Sequence, residues 1–339
     1  MQAILGRRGR IIGDWKMAEI VAFGELLVEF VATRIGQTFE SPEAFEGPFP
    51  SGAPAIFADQ ATRQGASVAI AGCVGRDAFG EAILRRLADD GVSISHVARC
   101  ADRPTGTAFV AYRADGERQF VFNIAQSAAG LLDASGISRD IFEGCRWLHI
   151  MGSSLYNAGA IRAARAASEE ARRRGCRISF DPNIRPELTD SPEVQRALWE
   201  MLEICDLFLP SEADLRFFHP KLGRDEVIRK VLERPSLEAV VLKRGAAGSL
   251  YVDRNRRIEA QGFEVTEIDP TGAGDCFCGT FLACLVRGVP VRQALVRANA
   301  AGAMAVLRRG PMEGNSSKSE LDDFIAARSA SHPSVLTSK

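Results

Sequence analysis

Short apolar runs alternate with longer amphipathic stretches along almost the whole chain. Glu19 to Phe30 is strongly apolar, breaks at Gly24-Glu25 and then resumes; Ser67 to Cys73, Trp147 to Met151, Arg177 to Phe180, Leu207 to Leu209 and Ala239 to Leu242 are further runs of this kind. Continuous apolar runs of strand length read as strands covered on both faces. Ile56 to Gln64, Glu81 to Asp90, Ala160 to Gly175, Cys276 to Val286 and Val291 to Val306 carry helical spacing instead. Strands alternating with helices predict an α/β fold with a mostly parallel sheet, and such sheets gather polar groups at the carboxyl ends of their strands. Here those ends are Gly152-Ser153-Ser154, Asp181-Pro182-Asn183-Ile184-Arg185, Pro210-Ser211-Glu212-Ala213-Asp214 and Lys243-Arg244-Gly245-Ala246-Ala247-Gly248. One shared site along that edge is the expectation.

Gly106 to Ile124 departs from this pattern, because its apolar residues alternate and Ala114-Asp115-Gly116-Glu117 supplies an Asp-Gly turn. It reads as a hairpin. Residues 36–50, rich in Gly, Pro, Phe and Glu, read as a loop leading off the core. Residues 1–16 hold Arg7, Arg8, Arg10 and Lys16 around a short apolar patch, without the pattern of a secretory signal. They are expected to be an upstream start or a disordered extension, and residues 327–339 a flexible tail.

Composition narrows the functional classes. The 339 residues are 46% hydrophobic and 25% charged, with a formal net charge of −1. That balance leaves no footprint for nucleic acid or an anionic membrane. No apolar run reaches the ~18 residues of a spanning helix. The eight cysteines are scattered without a CxxC, and the four histidines do not accompany them at zinc spacing. Reduced thiols used as small core residues are expected, which suits a cytoplasmic setting.

The candidate chemistry centres on Asp269-Pro270-Thr271-Gly272-Ala273-Gly274-Asp275, directly before an apolar helix. Three small residues let the backbone turn tightly and approach a ligand. A helix N-terminus with free amides is an anion site. Asp275 would then be an acid in the first turn beside a bound anion, placed to act as general base toward a hydroxyl attacking a phosphoryl group. The tetrapeptide alone also suits an ordinary glycine-rich helix start.

The full run DPTGAGDxF resembles the catalytic signature of the ribokinase-like (PfkB-type) carbohydrate kinases, and the resemblance extends from about residue 18 to 326. It implies a three-layer α/β/α core with a mostly parallel sheet as one kinase domain over 17–326. It also implies a small β-sheet lid from strands near 28–48 and 105–125, with a homodimer formed through that lid. The implied reaction is in-line transfer of the ATP γ-phosphoryl group to a primary hydroxyl of a sugar. Asp275 would take the hydroxyl proton, the turn of Gly272, Ala273 and Gly274 would hold the developing charge, and Mg²⁺ would bridge phosphate oxygens. Asp269 and Thr271 resemble part of a monovalent-cation site, so K⁺ is a candidate activator.

The remaining site residues follow from the same resemblance. The GELLVEF stretch makes Glu25 or Glu29 the acid that approaches sugar hydroxyls. Gly52 and Ala53 fall in a segment similar to the family's Gly-Gly-x-x-x-Asn, where Ser51 replaces the first Gly and Ile56 the Asn. Asp77 lies in a G-x-V-G-x-D-x-x-G turn, which N-cap chemistry also explains. Asn183 and Arg185 match a D-x-N-x-R turn that faces phosphates or sugar. Ser211 and Asp214 stand where Asn-x-x-Glu usually acts near Mg²⁺, and their shorter side chains favour contact through water. Lys243, Gly245 and Gly248 resemble the nucleotide-side loop, and Asn299 a position bordering adenine. Alignment on Ser127-Ala128-Ala129 puts Asn123 and Ile124 where 2-keto-3-deoxygluconate kinases carry Tyr and Arg. A ketohexose of fructose or tagatose type is therefore the expected substrate. 2-keto-3-deoxygluconate comes second, a nucleoside third, and a catalytically silent sugar-binding regulator is the alternative from another class.

Overall fold

The computed structural model describes residues 17–113 and 118–331. The expected extension at 1–16, the Asp-Gly turn at 114–117 and the last residues of the expected tail lie outside the described residues. The tail does not begin at 327, because a helix runs on to Ser331.

Strand β1 (Ile20–Phe23) ends at Gly24-Glu25, and the chain leaves the core as β2 (Leu27–Ile35), which turns back as β3 (Phe45–Ser51). Part of the expected loop at 36–50 is therefore strand: Phe45 to Phe49 pair with β2 although the segment holds two prolines. An edge strand tolerates proline, since its outward amides need no partner. Helix α1 (Ala53–Arg63), β4 (Val68–Gly75), α2 (Ala78–Asp89) and β5 (Ser93–Cys100) return the chain to the core. The expected hairpin follows as β6 (Gly106–Tyr112) and β7 (Arg118–Asn123). The second half of the core alternates β8 (Trp147–Met151), α3 (Ala158–Arg173), β9 (Arg177–Asp181), α4 (Pro186–Thr189), α5 (Pro192–Ile204), β10 (Leu207–Phe208), α6 (Glu212–Phe218), α7 (Arg224–Leu232) and β11 (Ala239–Lys243). It closes with the hairpin β12 (Ser249–Asp253) and β13 (Arg257–Ala260), then α8 (Ala273–Val286), α9 (Val291–Ala305) and α10 (Lys318–Ser331).

The large sheet has the order β13-β12-β11-β10-β9-β8-β1-β4-β5, parallel except for β12 and β13. Its central strands are buried on both faces, as their unbroken apolar runs require. One apolar layer packs α1, α8 and α9 against the sheet, and a second packs α3, α5 and α7 against the other face. Each fully buried Phe, Leu or Ile there contributes about 1.5–3 kcal/mol of transfer free energy. This is the expected three-layer α/β/α core.

Strand order reverses between β1 and β8: the chain runs outward from β1 through β4 to β5, then restarts at β8 and runs the other way. Open α/β sheets bind ligands at such a switch point. A second sheet of order β3-β2-β6-β7 stands over that crevice and forms the lid. In β7, Arg118, Phe120 and Phe122 turn to one face while Gln119, Val121 and Asn123 are exposed. No helix among the described residues is long and apolar enough to cross a membrane.

Candidate active site

The floor of the crevice is the start of α8. Gly272 caps the helix at φ 80, in the left-handed region, and a Cβ there would lie 2.4 Å from the Pro311 carbonyl oxygen. Only glycine fits both demands. Ala273 N bonds back to Pro270 O at 3.5 Å and Cys276 N to Gly272 O at 2.8 Å; the amides of Gly274 and Asp275 between them, as at any helix start, have no partner within the helix and can serve an anion. Asp275 lies in that first turn, 5% exposed. Its Oδ1 accepts a hydrogen bond from Asn183 Nδ2 at 3.2 Å. Burial first, and then the Asp181 carboxylate, push the Asp275 carboxyl up from 3.8 to about 7. A base poised there matches neutral-pH proton transfer from a hydroxyl.

Two cavities meet at this turn. The lid-side cavity has about 500 Å³ of empty space and is walled by Glu25, Glu29, Gly52, Ala53, Ile56 and Ser153, with Arg118, Phe120 and Arg185 opposite and Thr271, Gly272 and Asp275 beneath. The other is about 1300 Å³, runs past Lys243, Gly245, Gly248, Gly262, Asn299 and Gly302, and also reaches Ala273 and Gly274. A smaller space under the lid and a larger cleft thus share one glycine turn. Asn183, expected beside the cofactor, lines the first cavity with Glu25 and Arg185 and not the second with Lys243 and Asn299.

Two acids of the GELLVEF stretch reach the lid-side cavity, in different states. Glu25 is held by Ser154 Oγ at 2.6 Å and Ser153 Oγ at 3.3 Å across the β1/β8 switch point, and burial raises its carboxyl. Glu29 accepts one bond, from Ser51 Oγ at 3.1 Å, while its Oε1 is buried without a partner. Burial, then the Asp269 charge, raise Glu29 to about 7. Glu29 is therefore the acid with a free oxygen for a ligand hydroxyl. Ser51, standing where the family pattern has glycine, supplies its support. Gly52 keeps its expected place: at φ 111 a Cβ would lie 2.3 Å from the Glu25 carbonyl oxygen.

Some expected residues are occupied elsewhere. Ser211 and Asp214 form a reciprocal capping box at the start of α6, with Ser211 N and Oγ donating to Asp214 Oδ2 at 2.7 and 2.6 Å. Asp214 Oδ1 also accepts from Ile184 N at 3.1 Å. The pair lines neither cavity and instead braces the turn that carries Asn183 and Arg185. Asp77 caps α2 through Gly80 N and holds Thr105, the structural use that N-cap chemistry anticipates. Asp59 and Gln60, close to Ile56 in sequence, bond Asn315 and Ser316 away from the cavity. Nothing polar replaces the missing Asn at Ile56, which lines the cavity as an apolar wall.

Arg118 is the site residue that sequence reasoning missed. Its signal was period two: Arg118, Phe120, Phe122 and Ile124 share the cavity face of β7 and its extension, whereas Asn123 faces outward and bonds Thr107 Oγ1 at 3.1 Å. The Arg118 and Arg185 guanidiniums lie 5.5 and 5.9 Å from the Phe120 ring centroid. Burial, and then the Arg185 charge, lower the Arg118 pKa.

Asp269 ties the turn to the lid and to the chain beyond α9. Its Oδ1 accepts from Thr271 N at 2.9 Å and from Tyr112 Oη at 2.8 Å, and its Oδ2 accepts from Gly310 N at 2.9 Å. Thr271 Oγ1 beside it is buried without a partner. Among the described residues no group of three or more His, Cys, Asp or Glu side chains is arranged for a metal ion.

The pfkB family carbohydrate kinase model matches residues 17–318. Fructokinase-1 of Oryza sativa subsp. japonica is 33% identical over 303 residues, covering 86% of this chain and 92% of that protein. A protein of E. coli assigned provisionally as a ribokinase II, solved with ATP and Mg²⁺, superposes with a TM-score of 0.87 at 43% identity, covering 91% of this chain and 99% of the other. Fructokinase of Vibrio cholerae O395, solved with fructose, ADP and calcium, gives 0.79 at 27% identity, covering 91% and 99%. The glycine turn, the buried Asp275 and the lid over them stand in that company, and the chain belongs to the pfkB family of carbohydrate kinases as an ATP-dependent sugar kinase.

Proposed function

We propose that the protein transfers the γ-phosphoryl group of ATP to a primary hydroxyl of a ketohexose of fructose or tagatose type. The observation that carries this reading is the placing of two buried acids, Asp275 and Glu29, in one lidded cavity. Asp275 faces the amide turn, and Glu29 offers a free oxygen to a sugar hydroxyl. Asp275 takes the proton of the attacking hydroxyl, and the amides of the turn receive the charge that gathers on the phosphoryl oxygens. Lys243, Gly245, Gly248 and Asn299 border the cleft that suits the nucleotide. The Vibrio cholerae relative, solved with fructose and ADP, supports a sugar and a nucleotide as the two ligands.

A divalent ion would enter on the phosphates. Asp181 and Asp214, which flank the turn carrying Asn183, are engaged by Lys243 and by Ser211, and Mg²⁺ is commonly carried by substrate phosphates and water. It would neutralise charge on the phosphate oxygens. The orphaned Thr271 Oγ1 beside Asp269 suits a monovalent cation such as K⁺, which would hold the turn in place. The lid suits a homodimer contact, with Ile35 67% and Val121 42% exposed on its strands.

A second reading has its own support. Arg118 and Arg185 converge on the lid-side cavity, and paired guanidiniums match a carboxylate. That favours a sugar acid such as 2-keto-3-deoxygluconate, although Ile124 stands where an Arg was sought. ADP release from MgATP over fructose, tagatose, ribose, 2-keto-3-deoxygluconate and adenosine decides between them. Turnover confined to a neutral ketohexose is the expected result. Turnover confined to the sugar acid overturns it in favour of the arginine pair.

A further inference from the structure

Lys243 ends β11 with its side chain only 14% exposed. Its ammonium is paired with the Asp181 carboxylate and lies 3.8 Å from Cys278 Sγ. It also lies beneath the glycine turn: a Cβ placed on Gly274 would be 3.6 Å from Lys243 Nζ. Lys243 lines the nucleotide-side cleft, whereas Asp181 lines neither cavity. A buried cation thus has its counter-ion in the core and open space in front of it.

We propose that Lys243 is a shared cation, stored on Asp181 in the ligand-free protein and drawn onto the transferring phosphoryl group when the nucleotide arrives. This rests on the kinase assignment and adds a side-chain charge to the amides of the turn.

Asp181 is the hub of the arrangement. Its Oδ2 receives Lys243 and, at 3.3 Å, the Cys278 thiol. Its Oδ1 accepts from Asn183 N at 3.1 Å, and Asn183 Nδ2 in turn holds Asp275. Asn183 adopts φ 41, uncommon for a residue other than glycine. The Asp181 bond to its amide helps to hold that turn. Asp181 is fully buried, and an isolated carboxylate there would be costly, so its pairing with Lys243 keeps the ammonium in the site before ligand binds. A polyphosphate reaching the turn carries several negative charges against the single charge of Asp181. The ammonium can bond both without leaving its pocket, because three N–H donors are available.

The same device links the nucleotide to the base. Four charged groups act on Asp275: Asp181 and Glu25 raise its pKa, whereas Arg185 and Lys243 lower it. Phosphate oxygens brought onto the Lys243 ammonium offset part of its lowering effect, so Asp275 becomes a stronger base once nucleotide is bound. In the transfer itself the bond from γ-phosphorus to the ADP oxygen breaks and the bond to the sugar oxygen forms. The hydroxyl proton goes to Asp275, and Lys243 neither gives nor takes one. Lys243 is thus a catalytic residue by contact with the phosphoryl group, and Asp181 a positioning residue.

The test is steady-state kinetics and pH profiles of Lys243→Met, Lys243→Arg and the double variant Asp181→Asn/Lys243→Met, which removes the buried charges together should the single Met variant fail to fold. In the Met variants kcat is expected to fall roughly 10–150-fold, the loss of one hydrogen bond to a charged group, with sugar KM nearly unchanged. The acid limb of kcat should move to higher pH in Lys243→Met, and Lys243→Arg should recover part of the rate. A folded Met variant or double variant with wild-type kcat overturns the proposal. So does a loss of rate that leaves both the acid limb and the affinity for ATP where they were. If the wild-type protein turns over no sugar, the kinase assignment fails on its own. Calorimetry of MgATP binding then reads Lys243 separately: weaker ATP binding to Lys243→Met supports the proposal, and equal affinity sinks it.

Discussion

Replacing Asp275 by Asn should make the protein more stable while removing its activity. The folded protein raises this carboxyl from 3.8 to about 7, a difference of roughly 4 kcal/mol. Because the folded state holds the proton more tightly than the unfolded state, stability is highest below the unfolded pKa and falls as pH rises through the folded one. Above about pH 7 the ionised base is therefore a standing cost, set by its burial and by Asp181. Asparagine has the same shape without the charge, and its oxygen can still accept from Asn183 Nδ2, now 3.2 Å from Asp275 Oδ1. Its amide N–H groups gain no assured acceptor, and an unmet buried donor costs about 1–3 kcal/mol. A net gain of about 2 kcal/mol at pH 8 is expected after that deduction.

The assay is thermal melting of wild type and Asp275→Asn at pH 8 and pH 5, without ligands. The variant should melt a few degrees higher at pH 8. At pH 5, where the folded carboxyl is mostly protonated, the gap should shrink to less than half. Turnover at pH 8 should fall by about 10²–10⁴, the usual contribution of a general base. A variant that melts lower at both pH values, or a gap independent of pH, would refute the claim that burial has raised this carboxyl. Full turnover would remove Asp275 from the base role altogether.

Two further substitutions probe the walls of the site. Gly272→Ala places a methyl group 2.4 Å from the Pro311 carbonyl oxygen at φ 80, so the turn must shift; kcat should drop about 100-fold, as when one oxyanion donor is lost, and an unchanged kcat in the folded variant would mean that the turn carries no charge. Glu29→Gln keeps the Ser51 contact but replaces the charge-bearing oxygen pair, so sugar KM should rise roughly 10–150-fold with kcat little altered. A wild-type KM would show that no sugar hydroxyl uses the free Glu29 oxygen.

How legible each part of the site was in the sequence follows from how local its causes are. The Gly272–Asp275 turn is contiguous, and its conformational demands and its anion chemistry belong to the same residues, so reading it needed no tertiary information. The core strands were equally plain, because burial on both faces writes itself as an unbroken apolar run. The edge strand β3 was hidden from the residue pattern, since its proline and glycine content is that of a loop and only pairing with β2 makes it a strand; the family resemblance alone put lid strands near it. Arg118 was hidden for another reason. A hairpin pattern tells which residues share a face, but not which face looks inward, and that is fixed by the pairing of β6 with β2.

Departures from the family pattern are partly compensated across the chain, and single motifs do not show this. Ser51 in place of glycine looks like a loss, yet its hydroxyl holds Glu29 from the neighbouring strand. Ser211 and Asp214 look like a weakened metal contact, yet they spend their hydrogen bonds on the turn that presents Asn183 and Arg185. Ile56 has no such counterpart: it leaves an apolar wall where an amide was expected, facing a cavity whose polar lining includes Glu29, Arg118 and Arg185. The floor of the cavity thus keeps the motif that carries the family resemblance, and the departures lie in walls that come from the lid, the start of α1 and the turn after β9. On the proposed reading substrate identity rests on those walls, which is why seven consecutive residues suffice to suggest a catalytic group and leave the sugar open.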